Sequence, residues 1–203
     1  MLSLPYCRLV QTGLGTMGTT ARLQKAGKEG RTRVVIDESR LSTRPSRVRT
    51  WAPHGQTPVI QETFGWKSLS MVGSLALLRF YLQIHPGSIK GLQVIEFLQH
   101  LQRHVPGRLT VVWDGAPIHR SRLIQNYVAS TAGRVVLERL PTYAPEINPV
   151  EHMWGNLKNH HIGNLIATQA WDLSMQATAA LRSLRRRRPI IAACYKQSTS
   201  WPE

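Results

Sequence analysis

Two short apolar runs constrain this chain more than any other feature. Val34-Val35-Ile36 stops at Asp37, and Leu109-Thr110-Val111-Val112-Trp113 stops at Asp114. Both runs are brief, rich in β-branched residues and bounded by Gly- and Arg-containing segments, so they read as buried strands. A carboxylate just past the end of a buried strand stands at a sheet edge, where sites form in α/β folds. Two such carboxylates on adjacent strands repel each other unless a cation lies between them. Each aspartate also has a local explanation, since Asp114-Gly115 is a turn dipeptide and an Asp there caps the turn.

The rest of the chain decides what those strands belong to. Residues 1–30 are rich in Gly, Thr and Lys with little periodicity and read as a lead-in or linker, leaving 31–203 as the domain. A first strand is expected over 32–36, then a loop or irregular hairpin over 39–58, where arginines mix with Pro45, Pro53, Gly55 and Pro58. Residues 59–66 and 68–82 read as an antiparallel pair turning near Gly65-Trp66-Lys67. A helix over 92–105 buries Val94, Ile95, Leu98, Leu101 and Val105 and stops at Pro106-Gly107. After the strand at 109–113 come a helix at 121–131 with Leu123, Ile124, Tyr127 and Val128 inward, and a strand at 134–137. From Val150 a helix carries Val150, Met153, Trp154 and Leu157 on one face. A last helix over about 167–187 turns Trp171, Ala177, Thr178, Leu181 and Leu184 inward.

The order β-β-β-α-β-α-β-α plus a final helix implies an α/β domain, a mixed five-stranded sheet flanked by helices on both faces. With the first strand central and beside the fourth, Asp37 comes next to Asp114, and the helix from Val150 lays Glu151 against both. Glu151 has its own local explanation. Asn148 suits the N-cap, Pro149 the first helical position, and Glu151 then closes a variant capping box.

Charge narrows the partner. Among 203 residues, 26 Lys and Arg face 11 Asp and Glu, a net charge of +15 that points to a polyanion, most often nucleic acid. With few acids to pair them, basic residues read as phosphate contacts, which position a duplex without reading its sequence. They are Arg40, Arg44, Arg47 and Arg49 after the first aspartate, Lys158 after Glu151, and Arg182, Arg185, Arg186, Arg187 and Arg188 on the last helix. His119, Asn148 and His152 stand close in sequence to the acids as hydrogen-bond partners behind them. Glu38, by strand alternation, points away from Asp37, and Trp51 and Trp154 read as core or loop anchors. The absence of a long uncharged apolar stretch argues against a membrane span, and Arg8 breaks the only apolar start that a signal peptide would use. Two cysteines, Cys7 and Cys194, fit free thiols in a reducing cytoplasm.

Four segments carry a resemblance. Ile36-Asp37-Glu38-Ser39, Arg49 to Pro58, Val112-Trp113-Asp114-Gly115-Ala116-Pro117-Ile118-His119 and Leu140 to Glu151 occur in order and resemble the catalytic domain of the IS-630 family. These are bacterial insertion-sequence transposases of the Tc/mariner superfamily, and the likeness spans about residues 25–190. It implies an RNase H-like fold and a DDE triad of Asp37, Asp114 and Glu151 that binds Mg²⁺ or Mn²⁺, two ions serving an in-line displacement at phosphorus. It further implies cleavage at transposon ends, strand transfer into target DNA, and a dimer on double-stranded DNA at the nucleoid. Family members carry helix-turn-helix modules ahead of this domain. Residues 1–30 do not hold them, so a separate recognition subunit or a frameshift fusion partner is expected. The competing readings are a catalytically silent DNA-binding remnant and another RNase H-like nuclease; the Leu140 to Glu151 segment favours a transposase over the latter.

Overall fold

The computed structural model describes residues 21–22, 24–43, 48–49, 51–59, 68–140, 147–164, 167 and 169–198. Helical residues 24–28 lead into β1 (Thr32–Ser42). β2 (Ser68–Ala76) and β3 (Arg79–Pro86) follow, then α1 (Gly91–His104), β4 (Leu109–Trp113), a 3-10 turn (Pro117–Arg120), α2 (Arg122–Ser130) and β5 (Val135–Arg139). α3 (Pro149–Asn156) widens into a π-helical turn (Leu157–His161), and α4 (Ala170–Arg186) and α5 (Arg188–Gln197) close the described chain.

The sheet is mixed and five-stranded, in the order β3-β2-β1-β4-β5. β1 to β3 form an antiparallel meander, while β1 runs parallel to β4 and β4 to β5. The expected neighbourhood of the first and fourth strands is therefore observed. Strand alternation divides the core. Val34, Ile36, Val72 and Val111 meet Val94, Phe97, Leu98 and Leu101 of α1 and Ile124 of α2. Val35, Met71, Leu75 and Phe80 meet Val150, Met153 and Trp154 of α3, Leu173 to Leu184 of α4 and Ile191 of α5 on the opposite face. Cys194 is buried and makes no disulfide, and Cys7 lies outside the described residues. No helix among the described residues is long and apolar enough to cross a membrane.

Several elements differ from the sequence expectation, each for a physical reason. β1 runs on to Ser42 because Leu41 and Ser42 pair with Leu69 and Ser68. The run at 68–82 is two strands, not one, and turns at Leu77-Leu78. Both leucines adopt the left-handed region, with φ of 49° and 52°. That region favours Gly and Asn in two-residue hairpin turns, so nothing in a Leu-Leu pair announces it. The expected strand at 59–66 lies outside the described residues except for Val59, which is exposed and in no strand. In α4 the buried face is Leu173, Ala177, Leu181 and Leu184, and Trp171 is 64% exposed. Leu123 is likewise exposed on α2, while Phe97 joins the buried face of α1. The last helix ends at Arg186. Arg187 leaves helical geometry, and Pro189 sits in the first turn of a separate α5, a position proline favours.

Candidate active site

Asp37 lies on β1 with its side chain on the α3 face. It is only 6% exposed, and its Oδ2 accepts a 2.8 Å hydrogen bond from Trp154 Nε1. Gly73 is its cross-strand partner on β2. A Cβ at Gly73 would come within 2.6 Å of the Trp154 ring, so only glycine lets the indole lie over the strand and reach the carboxylate.

α3 starts as the sequence anticipates. Asn148 is a buried N-cap whose Oδ1 accepts from Val150 N–H at 3.0 Å, and Pro149 is in the first turn. The reciprocal half of a capping box is absent, so Glu151 is not spent on the helix start. It is exposed, one turn ahead of Trp154, and i,i+3 residues share a helix face. Glu151 thereby shares the side of α3 that carries Trp154, and its charge acts on Asp37.

Asp114 follows the last residue of β4. Its Oδ1 accepts from Ala116 N–H at 2.9 Å, the turn-capping bond expected locally, and also lies 3.0 Å from His119 Nδ1. His119 is 3% exposed and stacks on Trp113, with centroids 4.0 Å apart and planes 5° from parallel. Its Nε2 lies 2.9 Å from Glu38 Oε1. Glu38 does project from the opposite face to Asp37, yet His119 links it to Asp114. Ligand-type atoms of Glu38, Asp114 and His119 all lie within 4.8 Å of one another.

The electrostatics follow from this arrangement. Burial, then the charges of Glu151 and Glu38, push Asp37 up to about 8; the Trp154 N–H opposes them and Asp114 adds to them. Burial disfavours a charged His119, but its bonds to Asp114 and Glu38 outweigh that and push it up to about 10. The His119 bond chiefly holds Asp114 below the usual carboxylate range, helped against burial by the Ala116 N–H and the charges of His119 and Arg139. His119 thus bridges Glu38 and Asp114, while burial and neighbouring carboxylates raise the proton affinity of Asp37. Of 11 acids in the chain, three, Glu38, Asp114 and Glu151, act on a fourth, Asp37, here. Their hard oxygen donors suit Mg²⁺ or Mn²⁺, and a divalent cation would reverse the protonation of Asp37. The residues present therefore fit such an ion.

The other expected site residues spread more widely. His152 Nε2 is buried without a hydrogen-bond partner among the described residues, and Asn148 acts as the helix cap. Arg40, Arg49, Arg182 and Arg185 to Arg188 are exposed and Lys158 is half-buried; Arg44 and Arg47 lie outside the described residues. Trp51 is no anchor: it is fully exposed. Trp154 is the core anchor expected, but its bond to Asp37 was not legible from periodicity. Gly73 inside a strand was the available signal of a close approach.

A family model described as DDE superfamily endonuclease matches residues 32–172. No curated protein matches the sequence. Among solved structures, the chain is similar to the Mos1 mariner paired-end complex with Mn, at TM-score 0.62 and 16% identity, over 100% of this chain and 67% of that one. It is similar to the Mos1 paired-end complex with left transposon end at 0.60 and 15%, over 97% and 66%. For the isolated catalytic domain of Mos1 mariner transposase the values are 0.56 and 13%, over 100% and 98%. The chain spans about two thirds of the chains in those DNA-end complexes. At this identity the likeness establishes the fold, which is RNase H-like.

Proposed function

The chain belongs to the DDE superfamily endonucleases, and from that premise we propose that it is the catalytic part of a Tc/mariner-type transposase of the IS-630 kind, with Asp37, Asp114 and Glu151 as its metal-binding triad. What supports the reading is that the charges of Glu151, at the start of α3, and of Asp114, after β4, both act on the buried Asp37 carboxylate of β1.

Each side chain has a distinct task in this reading. Trp154 fixes the Asp37 carboxylate from beneath, and the Asn148 cap fixes the helix that presents Glu151. His119, clamped between Trp113 and Glu38, orients Asp114. When bound, Mg²⁺ or Mn²⁺, as two ions, would supply a nucleophile at neutral pH and neutralise charge on the attacking and leaving oxygens. Arg40, Arg44, Arg47 and Arg49 beside the first aspartate, Lys158 after α3, and Arg182 with Arg185 to Arg188 would hold phosphates of the duplex. The substrates are transposon ends, cut and then joined through their 3′-hydroxyls to target DNA. A helix-turn-helix subunit or fusion partner supplies end recognition, and two copies act together on DNA in the bacterial cytoplasm, at the nucleoid. Residues 1–30 lead into the catalytic domain at 31–203.

The test is nicking of supercoiled DNA with Mn²⁺ or Mg²⁺. Asp114→Asn is expected to lower the rate by more than about 100-fold, beyond the 10–100-fold that outer hydrogen-bond partners of a metal site cost. Activity surviving Asp114→Asn sinks the triad. A folded wild-type chain that binds duplex but never nicks it supports the silent DNA-binding reading instead.

A further inference from the structure

A second charged feature lies at the other end of the sheet. The β2–β3 turn, the C-terminus of α1, the end of α4 and the start of α5 enclose a cleft of about 300 Å³ lined by Arg79, Tyr81, His104, Arg185 and Arg188. It wraps around the edge strand β3, so it draws cations from the helical layers on both faces of the sheet. β2 runs antiparallel to β1, and Asp37 pairs with Gly73. β2 ends at Ala76, three residues beyond Gly73, or about 10 Å at the rise of a strand, and Leu78 at the cleft follows in the turn. Asp114 lies in the reverse direction, past the C-terminal end of β4. No single phosphate can touch both places.

The cleft is positive and uncompensated. Arg79, Arg185 and Arg188 are exposed, and no carboxylate among the described residues pairs with them. Arg188 opens α5, a helix with no acid in its first turn and no side-chain cap. A cation there opposes the helix macrodipole, which suits an anion instead. Arg185, at the other helix end, is favoured by the dipole of α4 and needs no ligand to explain it. His100 and His104 lie with ring centroids 4.2 Å apart and planes tilted by 38°, and burial together with the charges of His104, Arg103 and Arg185 lowers the proton affinity of His100. The crowding of like charge around an open cleft wants a polyanion.

We propose that this cleft is a second duplex-binding site, in which Arg79, Arg185 and Arg188 grip the sugar-phosphate backbone more than about 10 Å along the sheet from Asp37. Backbone contact rather than base reading follows from its make-up. Guanidinium forks match phosphate oxygens and carry no sequence code unless they reach a groove edge. The site rests on the duplex contact proposed above for Arg185 and Arg188, and it adds Arg79 and the cleft that joins them.

The experiment measures binding of a short labelled duplex by the full chain across a salt series. Arg79→Gln/Arg188→Gln should weaken binding about tenfold and reduce the slope of log K against log salt by about 1.8, or about 0.9 for each phosphate lost. Both side chains are exposed, so the fold should survive, and an unchanged melting temperature verifies that. Arg122→Gln, an exposed arginine of α2 assigned to neither site, serves as the reference and should keep the full slope, and nicking by wild type is scored separately, which separates failure of this site from failure of the nuclease reading. An unchanged affinity and slope in the double variant overturns the proposal. So does a difference that vanishes when inorganic phosphate replaces chloride at matched ionic strength, which marks a small-anion site.

Discussion

Asp37→Asn is expected to abolish metal-dependent nicking and, in the same protein, to raise the stability of the metal-free fold at alkaline pH. The two effects have one origin. Asp37 is buried among Glu151, Glu38 and Asp114, and its pKa is raised from 3.8 to about 8. The folded state therefore holds the proton more tightly than the unfolded chain. That stabilisation is fully present below about pH 4 and is lost as pH rises through about 8. Asparagine carries no charge and keeps a carbonyl oxygen for the Trp154 N–H. The variant should melt at least about 4 °C higher than wild type near pH 8, with the gap shrinking at lower pH. His119 contributes with the same sign but in a higher window, from 6.5 to about 10, in both proteins. The wild-type-minus-variant difference therefore isolates Asp37. Mn²⁺ should close the gap by stabilising wild type alone. Equal melting curves across pH would show that Asp37 is not held as the geometry requires.

Trp154 carries the second large effect. Its ring is 2% exposed, packs edge-on against Phe80 at 5.6 Å and donates to Asp37. Trp154→Ala removes both packing and donor and is expected to cost about 3–5 kcal/mol, as large aromatic truncations in a core do. Trp154→Phe separates the two contributions. It keeps most of the packing and removes the N–H, leaving Asp37 without that donor. Nicking should fall about 10–100-fold, with partial recovery at higher Mn²⁺, while stability falls by only about 1–3 kcal/mol. A Phe variant that nicks like wild type at every Mn²⁺ concentration reduces Trp154 to a packing residue.

Much of the frame that positions these residues was readable from sequence. Val34 to Ile36 and Leu109 to Trp113 formed strands because nothing but burial between helices suits short β-branched runs. The place of β1 beside β4 was assumed from topology rather than read from the residues, and the parallel pairing has it so. The Asn148-Pro149 start of α3 was readable from local capping chemistry alone. What stayed hidden depends on three-dimensional neighbours. The left-handed Leu77-Leu78 turn contradicts local preference and is imposed by pairing of β2 with β3. The phase of α4 depended on which partner it met, so Leu173 rather than Trp171 went inward. Alternation placed Glu38 on the far face correctly, but the 3-10 turn that folds His119 under Trp113 and joins Glu38 to Asp114 has no sequence period to reveal it. Helical spacing marked Trp154 as core and was silent about its indole N–H.

Divalent-cation binding by the full chain without DNA addresses the acid cluster most directly. Mn²⁺ is titrated near neutral pH and the free-ion electron paramagnetic resonance signal is followed for wild type, Asp37→Asn and Glu151→Gln. The expected result is saturable binding by wild type that each substitution weakens by at least about tenfold. Wild type that leaves the Mn²⁺ free, or variants that bind it as wild type does, would contradict a metal site built from Asp37, Asp114 and Glu151.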